Sequence, residues 1–396
     1  MPSLSGGRAF AALTFAFLVV MTGVTLPTPM YGFYQEDFGF SLSTVTVIYA
    51  VYAAGVLAAL LLFGRWSDVL GRRPVLIAGL VATILSDAVF LAADATWVLM
   101  VARVLSGLSA GLLLGAATAA VVEAAPPAWR GRAPLVATAA NIGGLGLGPL
   151  VAAILVDHFS WPTHLTFAVH LVVTIVAVGL VLAVPETVHR EPGARPGIQR
   201  PEVPSAVRST FIGASIAGFA GFAVAGLLTA VSPRFVAQAL DDPSHVQQVS
   251  IVSLFFASAV VGQILLRGLT TDVAVDLGCA LLAVGVLVLV WALEADSFVL
   301  LIVAAVVAGV GQGLSFSKGL ASILAKVDVH ERAGVASAFF VVAYIAISVP
   351  VIGEGIAAPR WGLTSSSVAF SLGVAALAAL ALVTLVVDQR RSTATS

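Results

Sequence analysis

Runs of about twenty apolar residues recur along this chain, and few folds can hold them. An α-helix needs about 20 such residues to cross the ~30 Å hydrocarbon core of a bilayer. Only helices and closed barrels satisfy their own backbone there. Twelve runs have that length, at 9–31, 43–63, 74–93, 97–122, 133–156, 163–184, 209–231, 246–267, 273–293, 297–325, 333–356 and 364–387. Of the 396 residues 60% are hydrophobic and 10% charged, where soluble domains carry roughly 25% charged residues. The expectation is an all-α integral membrane protein with twelve transmembrane helices. Residues 1–27 have the basic start and apolar middle of a leader but no small-x-small cleavage pattern, so they are expected to stay as the first span.

The connectors are short, with one exception. Residues 185–208 hold five prolines, four arginines and no apolar run, which reads as an extended, solvated linker. It divides the chain into a six-helix bundle over 1–184 and a second over 209–396. Basic residues mark the inner side of a membrane. With the N-terminus cytoplasmic, the inner loops and tails collect Arg8, Arg65, Arg72, Arg73, Arg130, Arg132, Arg190, Arg195, Arg200, Arg208, Arg267, Lys326, Arg332, Arg390 and Arg391, fifteen of the nineteen Lys and Arg. Only Arg234 and Arg360 fall outside, where the connectors are instead acidic (Glu36, Asp37, Asp94, Asp241, Asp242, Glu294, Asp296). Both termini are therefore expected in the cytoplasm, and the chain in an inner (plasma) membrane.

The halves resemble each other. An offset of 204 pairs Pro29 with Pro233, Gly64 with Gly268 and Asp68 with Asp272. An offset of 202 pairs Gly107 and Gly111 with Gly309 and Gly313, and an offset of 201 pairs Pro149 with Pro350. Parallel repeats of this kind are related by a pseudo-two-fold axis along the membrane normal, as in transporters that rock one half against the other.

Between the second and third spans lies Gly64-Arg65-Trp66-Ser67-Asp68-Val69-Leu70-Gly71-Arg72-Arg73, dense charge in a chain nearly free of it. The glycines permit a tight turn and close helix approach, and Asp68 suits the N-terminus of a helix. Topology alone would need the arginines but neither Asp68 nor spaced glycines. The fourth span carries Arg103-x-x-x-Gly107-x-x-x-Gly111, and the fifth carries Gly144-x-x-x-Gly148-Pro149-x-x-Ala152-Ala153. Pro185-Glu186-Thr187 follows the sixth.

These features together resemble the major facilitator superfamily, whose signature loop follows the second span. The fifth-span motif resembles that of its drug:proton antiporters. The resemblance implies that spans 1, 4, 7 and 10 line the substrate path. It also implies that Gly64, Asp68, Gly71, Arg72, Arg73 and Glu123 form a conformational latch, with Asp68 at the start of span 11 near Ala333-Gly334 and Arg72 reaching Glu123. The second-half copy keeps Gly268 and Asp272 but places Asp276 where Arg72 would stand, so any latch is asymmetric.

Ionisable residues inside spans are costly and mark candidate sites. Arg103 would tune an acid or hold an anionic group, or else snorkel to the outer interface. Lys318, about two turns from the cytoplasmic end of span 10, would attract an anionic cargo or snorkel inward. Span 1 has no acid before Glu36, so the candidate proton carriers are Asp87, Asp157 and Glu354. Asp87 also reads as a packed structural residue, and Glu354 as an interfacial acid. Asn141 and Gln312 offer polar groups for cargo or for bonds between helices. Gly144, Gly148 and Pro149 would let span 5 pack closely and bend. Tyr31, Tyr34, Tyr49, Tyr52, Phe219 and Phe222 form a possible aromatic wall, with Tyr31 and Tyr34 reading rather as interfacial anchors. His170 reads as structural.

The leading reading is a secondary transporter that exports small amphipathic or drug-like molecules in exchange for protons. Alternatives are proton-coupled uptake of an organic anion, served by Arg103 and Lys318, and a non-transporting receptor of the same fold. An enzyme is disfavoured because the six histidines are scattered and no His-Glu-x-x-His pattern occurs. ATP-driven transport is disfavoured by the lack of Gly-x-x-x-x-Gly-Lys-[Ser/Thr]. The single cysteine, Cys279, permits neither an internal disulfide nor a thiolate cluster. No cofactor, metal or nucleic-acid partner is expected; the partners are a small-molecule substrate, protons and the lipid bilayer, and the expected unit is a monomer.

Overall fold

The structure, a computed structural model, describes residues 4–64, 66–187, 197, 203–240, 243–327 and 332–394. Arg65, Arg190, Arg195, Arg200, Asp241, Asp242 and most of the linker expected at 185–208 lie outside the described residues, as do the side chains of Arg234, Arg332, Arg390 and Arg391. Among the described residues, twelve helices are long and apolar enough to cross a membrane. The chain divides into two compact units, Met1–Pro201 and Glu202–Ser396.

The first unit contains α1 (Gly7–Thr25), α2 (Tyr31–Phe38), α3 (Leu42–Phe63), α4 (Trp66–Leu70), α5 (Arg72–Leu91), α6 (Thr96–Glu123), α7 (Ala133–His158) and α8 (Pro162–Ala183). The second contains α9 (Arg208–Ala239), α10 (His245–Leu265), α11 (Thr271–Glu294), α12 (Phe298–Ala325), α13 (Arg332–Trp361) and α14 (Leu363–Ala394). In the first unit α6 packs on α3 and α5, α1 on α6, α7 and α8, and α5 on α8. In the second, α12 packs on α10 and α11, α9 on α12, α13 and α14, and α11 on α14. Counted by spans, these are the same pairings.

Small residues make them possible, because helices surrounded by lipid associate through close backbone packing. A Cβ on Gly107 would lie 3.0 Å from the Val56 nitrogen of α3, and one on Gly309, its counterpart in the repeat, would lie 3.0 Å from the Ser258 Cβ of α10. The repeat read at an offset of 202 is thus a repeat of helix contacts. The outward faces stay apolar, as at Val172, Ile175 and Val176 of α8. Trp97, Trp161, Trp291 and Trp361 stand exposed at or beside helix ends, where amphipathic rings anchor at a membrane interface.

Helix ends depart from the apolar runs. The first span continues to Phe38, passing through a turn at Leu26–Pro27 and a short 3-10 segment at Thr28–Met30, because Pro27 and Pro29 bring no N–H to an unbroken helix. Spans 7 and 11 run on to Ala239 and Trp361 through Pro233, Pro350 and Pro359. Prolines are tolerated there because neighbouring helices re-satisfy the freed carbonyls.

Candidate functional site

The loop after α3 closes one end of the first unit. Gly71, with φ at 102°, turns the chain into α5 through a conformation that a side chain would strain. Arg72 then gathers the neighbouring groups. Its Nη1 donates to Asp68 Oδ1 at 2.5 Å and Ser67 Oγ at 2.7 Å, and its Nη2 and Nε donate to Glu123 Oε1 at 3.0 and 3.2 Å. Glu186, one residue past Pro185, accepts from the backbone N–H of Arg72 at 2.8 Å and of Arg73 at 3.1 Å. This places a carboxylate on the free donors and positive dipole end of α5. Thr187 donates to Glu123 Oε2 at 2.6 Å, and the Arg73 guanidinium donates to the Leu182 carbonyl. The ends of α4, α5, α6 and α8 are thereby tied together. Gly64 ends α3 in an ordinary helical conformation. Glu186 is the member that reading the sequence did not single out as a site residue; its signal was an acid directly after a long apolar run.

Arg103 does not snorkel. It is 1% exposed, with Nε donating to Tyr31 Oη at 2.6 Å and Nη1 to the Val24 carbonyl at 2.6 Å. The rings of Tyr31, Tyr49 and Tyr52 lie 5.2–5.6 Å from its guanidinium carbon, in range for cation–π attraction. Tyr49 in turn donates to Thr28 Oγ1. Tyr31 and Tyr34, read from the sequence as interfacial anchors, are buried in a core cluster with Met30, Ile48, Phe90 and Leu99. The break at Pro27 turns α2 so that its aromatic face looks inward.

Asp87 of α5 and His170 of α8 form a buried pair at 2.8 Å, and the other imidazole nitrogen faces the Val19 carbonyl of α1. On α7, Gly144 and Gly148 pack against α1: a Cβ on Gly144 would lie 2.8 Å from the Leu18 carbonyl oxygen, and one on Gly148 would lie 3.0 Å from the Leu26 nitrogen. Thr25 completes that contact by donating to the Leu145 carbonyl at 2.9 Å. Pro149 sits inside α7, and Asn141, one turn before Gly144, is buried. Gly107-Leu108-Ser109-Ala110-Gly111 has the spacing of a hydrolase nucleophile elbow. Ser109, however, is buried mid-helix and donates to the Gly79 carbonyl, so no exposed nucleophile results.

In the second unit Gln312 of α12 is fully buried, and neither atom of its amide has a hydrogen-bond partner among the described residues. It lies over Gly221 of α9, beside Phe316, which contacts Phe222, Phe339 and Phe340. Glu354 is buried, at 3% exposure. Its Oε1 accepts from Ser366 at 3.0 Å and from Ser367, while Oε2 has no partner among the described residues. A cavity of about 310 Å³ opens nearby, lined by Phe219, Pro350, Trp361, Phe370 and Leu377 among others. Lys318 is half-buried and donates to the carbonyls of Arg267 and Leu269 at 3.3 and 3.0 Å, closing the turn after α10.

The chain is similar to known proteins. The chain is 33% identical over 156 residues to the multidrug resistance protein MdtM of Salmonella typhimurium, covering 39% of this chain and 37% of that protein. It is 26% identical over 114 residues to the quinolone resistance protein NorA of Staphylococcus aureus, covering 29% of each. The chain thus aligns with about a third of the length of these curated relatives. In fold it is similar to the crystal structure of the human organic anion transporter MFSD10, with a TM-score of 0.72, 19% identity, and 96% of this chain and 99% of that one covered. The sequence profile of the Major Facilitator Superfamily matches residues 13–349. Twelve spanning helices, two units with one packing scheme and that match across most of the chain lead to one conclusion: the chain belongs to the Major Facilitator Superfamily, a family of transporters rather than enzymes.

Proposed function

We propose that this transporter exports small amphipathic or drug-like molecules in exchange for protons, by alternating access. The observation that carries the reading is the glycine face of α7, where Gly144 and Gly148 bring α7 onto the backbone of α1 beside an in-helix Pro149. That pattern resembles the motif of drug:proton antiporters, and the aligned relatives are named for multidrug and quinolone resistance. In this reading Gly64, Asp68, Gly71, Arg72, Arg73 and Glu123 form a charge latch at the cytoplasmic end of the first unit. Breaking and remaking it separates the two states that alternating access requires. Gln312, Asn141 and Glu354 offer polar groups to cargo, with the Phe222–Phe316–Phe339 cluster as an apolar wall. Lys318 we assign to closing the turn after α10. The protein is read as a monomer of the inner membrane with both termini in the cytoplasm, from the distribution of its basic residues.

A second reading, uptake of an organic anion, draws support from Arg103, a buried guanidinium with no carboxylate partner among the described residues. One experiment separates the two. Purified protein is reconstituted into liposomes loaded with a pH-sensitive dye, and ethidium, a neutral and an anionic amphiphile are added under an imposed pH gradient. Export predicts proton flux with ethidium that Asp68→Asn abolishes. Flux with the anion alone would transfer support to uptake, and no flux with any compound from folded protein would remove the antiport reading.

A further inference from the structure

The His170 imidazole stands where α1, α5 and α8 meet, and its two nitrogens have fixed duties. Nε2 is 3.0 Å from the Val19 carbonyl oxygen, and Nδ1 is 2.8 Å from Asp87 Oδ2. A carbonyl only accepts, so Nε2 carries a hydrogen. One further proton then lies between Nδ1 and Oδ2, either as imidazolium with carboxylate or as neutral imidazole with carboxylic acid. If that proton leaves, the ring keeps one hydrogen for two acceptors. Whichever nitrogen holds it, the other turns a lone pair toward an oxygen, and both side chains are only 5% exposed. An unmet acceptor pair in such a place is costly, so one of the two contacts has to open.

α1 cannot ignore that event. A Cβ on Gly23 would lie 2.8 Å from Nε2, so the backbone of α1 rests directly on the ring. The other charges on the surrounding helices lie elsewhere. Arg8 opens α1, Arg72 and Arg73 open α5, and His164 sits in the first turn of α8, while Glu123 ends α6 and Asp157 and His158 end α7. Among the described residues, Arg103 of α6 is the fixed charge that shares this stretch of α1, and it is committed to Val24 and Tyr31.

We propose that Asp87 and His170 form a proton-binding site whose proton clamps α1 to α5, and whose release frees α1 to move. The proposal rests on the proton-coupled reading for its place in the transport cycle. In each cycle a proton passes from the Nδ1–Oδ2 pair to water when the contact opens and is regained from water when it closes, with no other bond changed.

Asp87→Asn tests it, because the asparagine amide can donate to Nδ1 of a neutral ring while Nε2–H still serves Val19. Both contacts then persist with no exchangeable proton, and the clamp should stay shut in a folded protein. Ring-¹⁵N spectra of histidine-labelled protein, with the His170 signal identified by its loss in His170→Gln, would be followed from about pH 5 to about pH 9, around the range in which imidazole titrates. The wild-type Nδ1 signal should move as the shared proton is lost, whether the ring starts as imidazolium or as the acceptor of a carboxylic acid, and the Asp87→Asn ring should stay in its neutral Nε2–H form throughout. In liposomes, ethidium transport driven by a pH gradient should fall to background in Asp87→Asn while ethidium binding persists. A wild-type Nδ1 signal that never moves, or an Asp87→Asn protein that transports as the wild type does, overturns the clamp. A titrating ring in a protein whose transport ignores the pH gradient overturns the export reading instead, and leaves the clamp standing.

Discussion

The two units share a packing scheme and differ in what they do with buried polar atoms. In the first, Arg103 is bonded to Tyr31 and Val24, and Asp87 is paired with His170. In the second, both amide atoms of Gln312, one carboxyl oxygen of Glu354 and the hydroxyls of Ser215, Ser232, Ser253 and Ser371 lack partners among the described residues. An unsatisfied buried polar atom costs about 1–3 kcal/mol, so a core keeps several only where something else meets them part of the time. The repeat has therefore preserved helix contacts, as at Gly107 and Gly309, while the chemistry diverged. Charge is held by hydrogen bonds in the first unit, and most of the open hydrogen-bonding capacity among the described residues lies in the second, against Tyr34 Oη and Arg73 Nε in the first. This division is what one expects if the first unit handles the proton and the second meets the cargo.

The largest effect that could break this comparison comes from Arg103→Met. It strands the Tyr31 hydroxyl and the Val24 carbonyl and removes the charge that three tyrosine rings surround. Unfolding in detergent should show a loss on the order of 3 kcal/mol, with ethidium export abolished. A variant as stable as the wild type would mean that the guanidinium is not a fastened part of the first unit.

Gln312→Leu should act with the opposite sign on stability. Leucine is close in size and brings no polar atoms, so the fold should gain about 1–2 kcal/mol. Ethidium affinity, read by fluorescence titration, should weaken by about tenfold, the equivalent of one good hydrogen bond. A loss of stability instead would show that the amide is already satisfied. Gly221→Ala sharpens the same point with a smaller effect. Its Cβ would meet Gln312 Cγ at 2.6 Å, and the overpacking should cost about 1 kcal/mol and shift ethidium affinity a few-fold by displacing the amide.

These tests concern features that the sequence revealed unevenly. The spans were legible because a helix crossing lipid has to be apolar for its whole length, and the loop at 64–73 because charge is so rare elsewhere. The ends of α2, α9 and α13 were not, since a helix can outrun its apolar stretch once prolines are accommodated by neighbours. Side-chain partners were least legible of all. Asp87 and His170 are 83 residues apart, and Tyr31 and Arg103 are 72 apart. Apolar on nearly every side, these helices carry no periodic stripe that would tell how each is turned toward the next. That is why His170 reads only as structural and Tyr31 as an anchor, and why Glu186 reads only as part of the Pro-Glu-Thr after the sixth span and not as the carboxylate on the first N–H groups of α5.

The smallest effect tests the comparison at its weakest point, the turns after α3 and α10. In the first unit that turn is held by charges, with Arg72 between Asp68 and Glu123. In the second, Lys318 supplies the hold through backbone carbonyls alone, on Arg267 and Leu269. An ammonium committed to two carbonyls at the end of a helix has its charge met by the C-terminal dipole end. Lys318→Met keeps the stem and removes that cap, so it should cost no more than about 1 kcal/mol. The preference among cationic, neutral and anionic compounds in the liposome assay should not change. Should the anionic compound alone lose affinity while the protein remains folded, Lys318 would be facing cargo. The second unit would then hold a working charge of its own, and the division between a charged unit and an open one would fail.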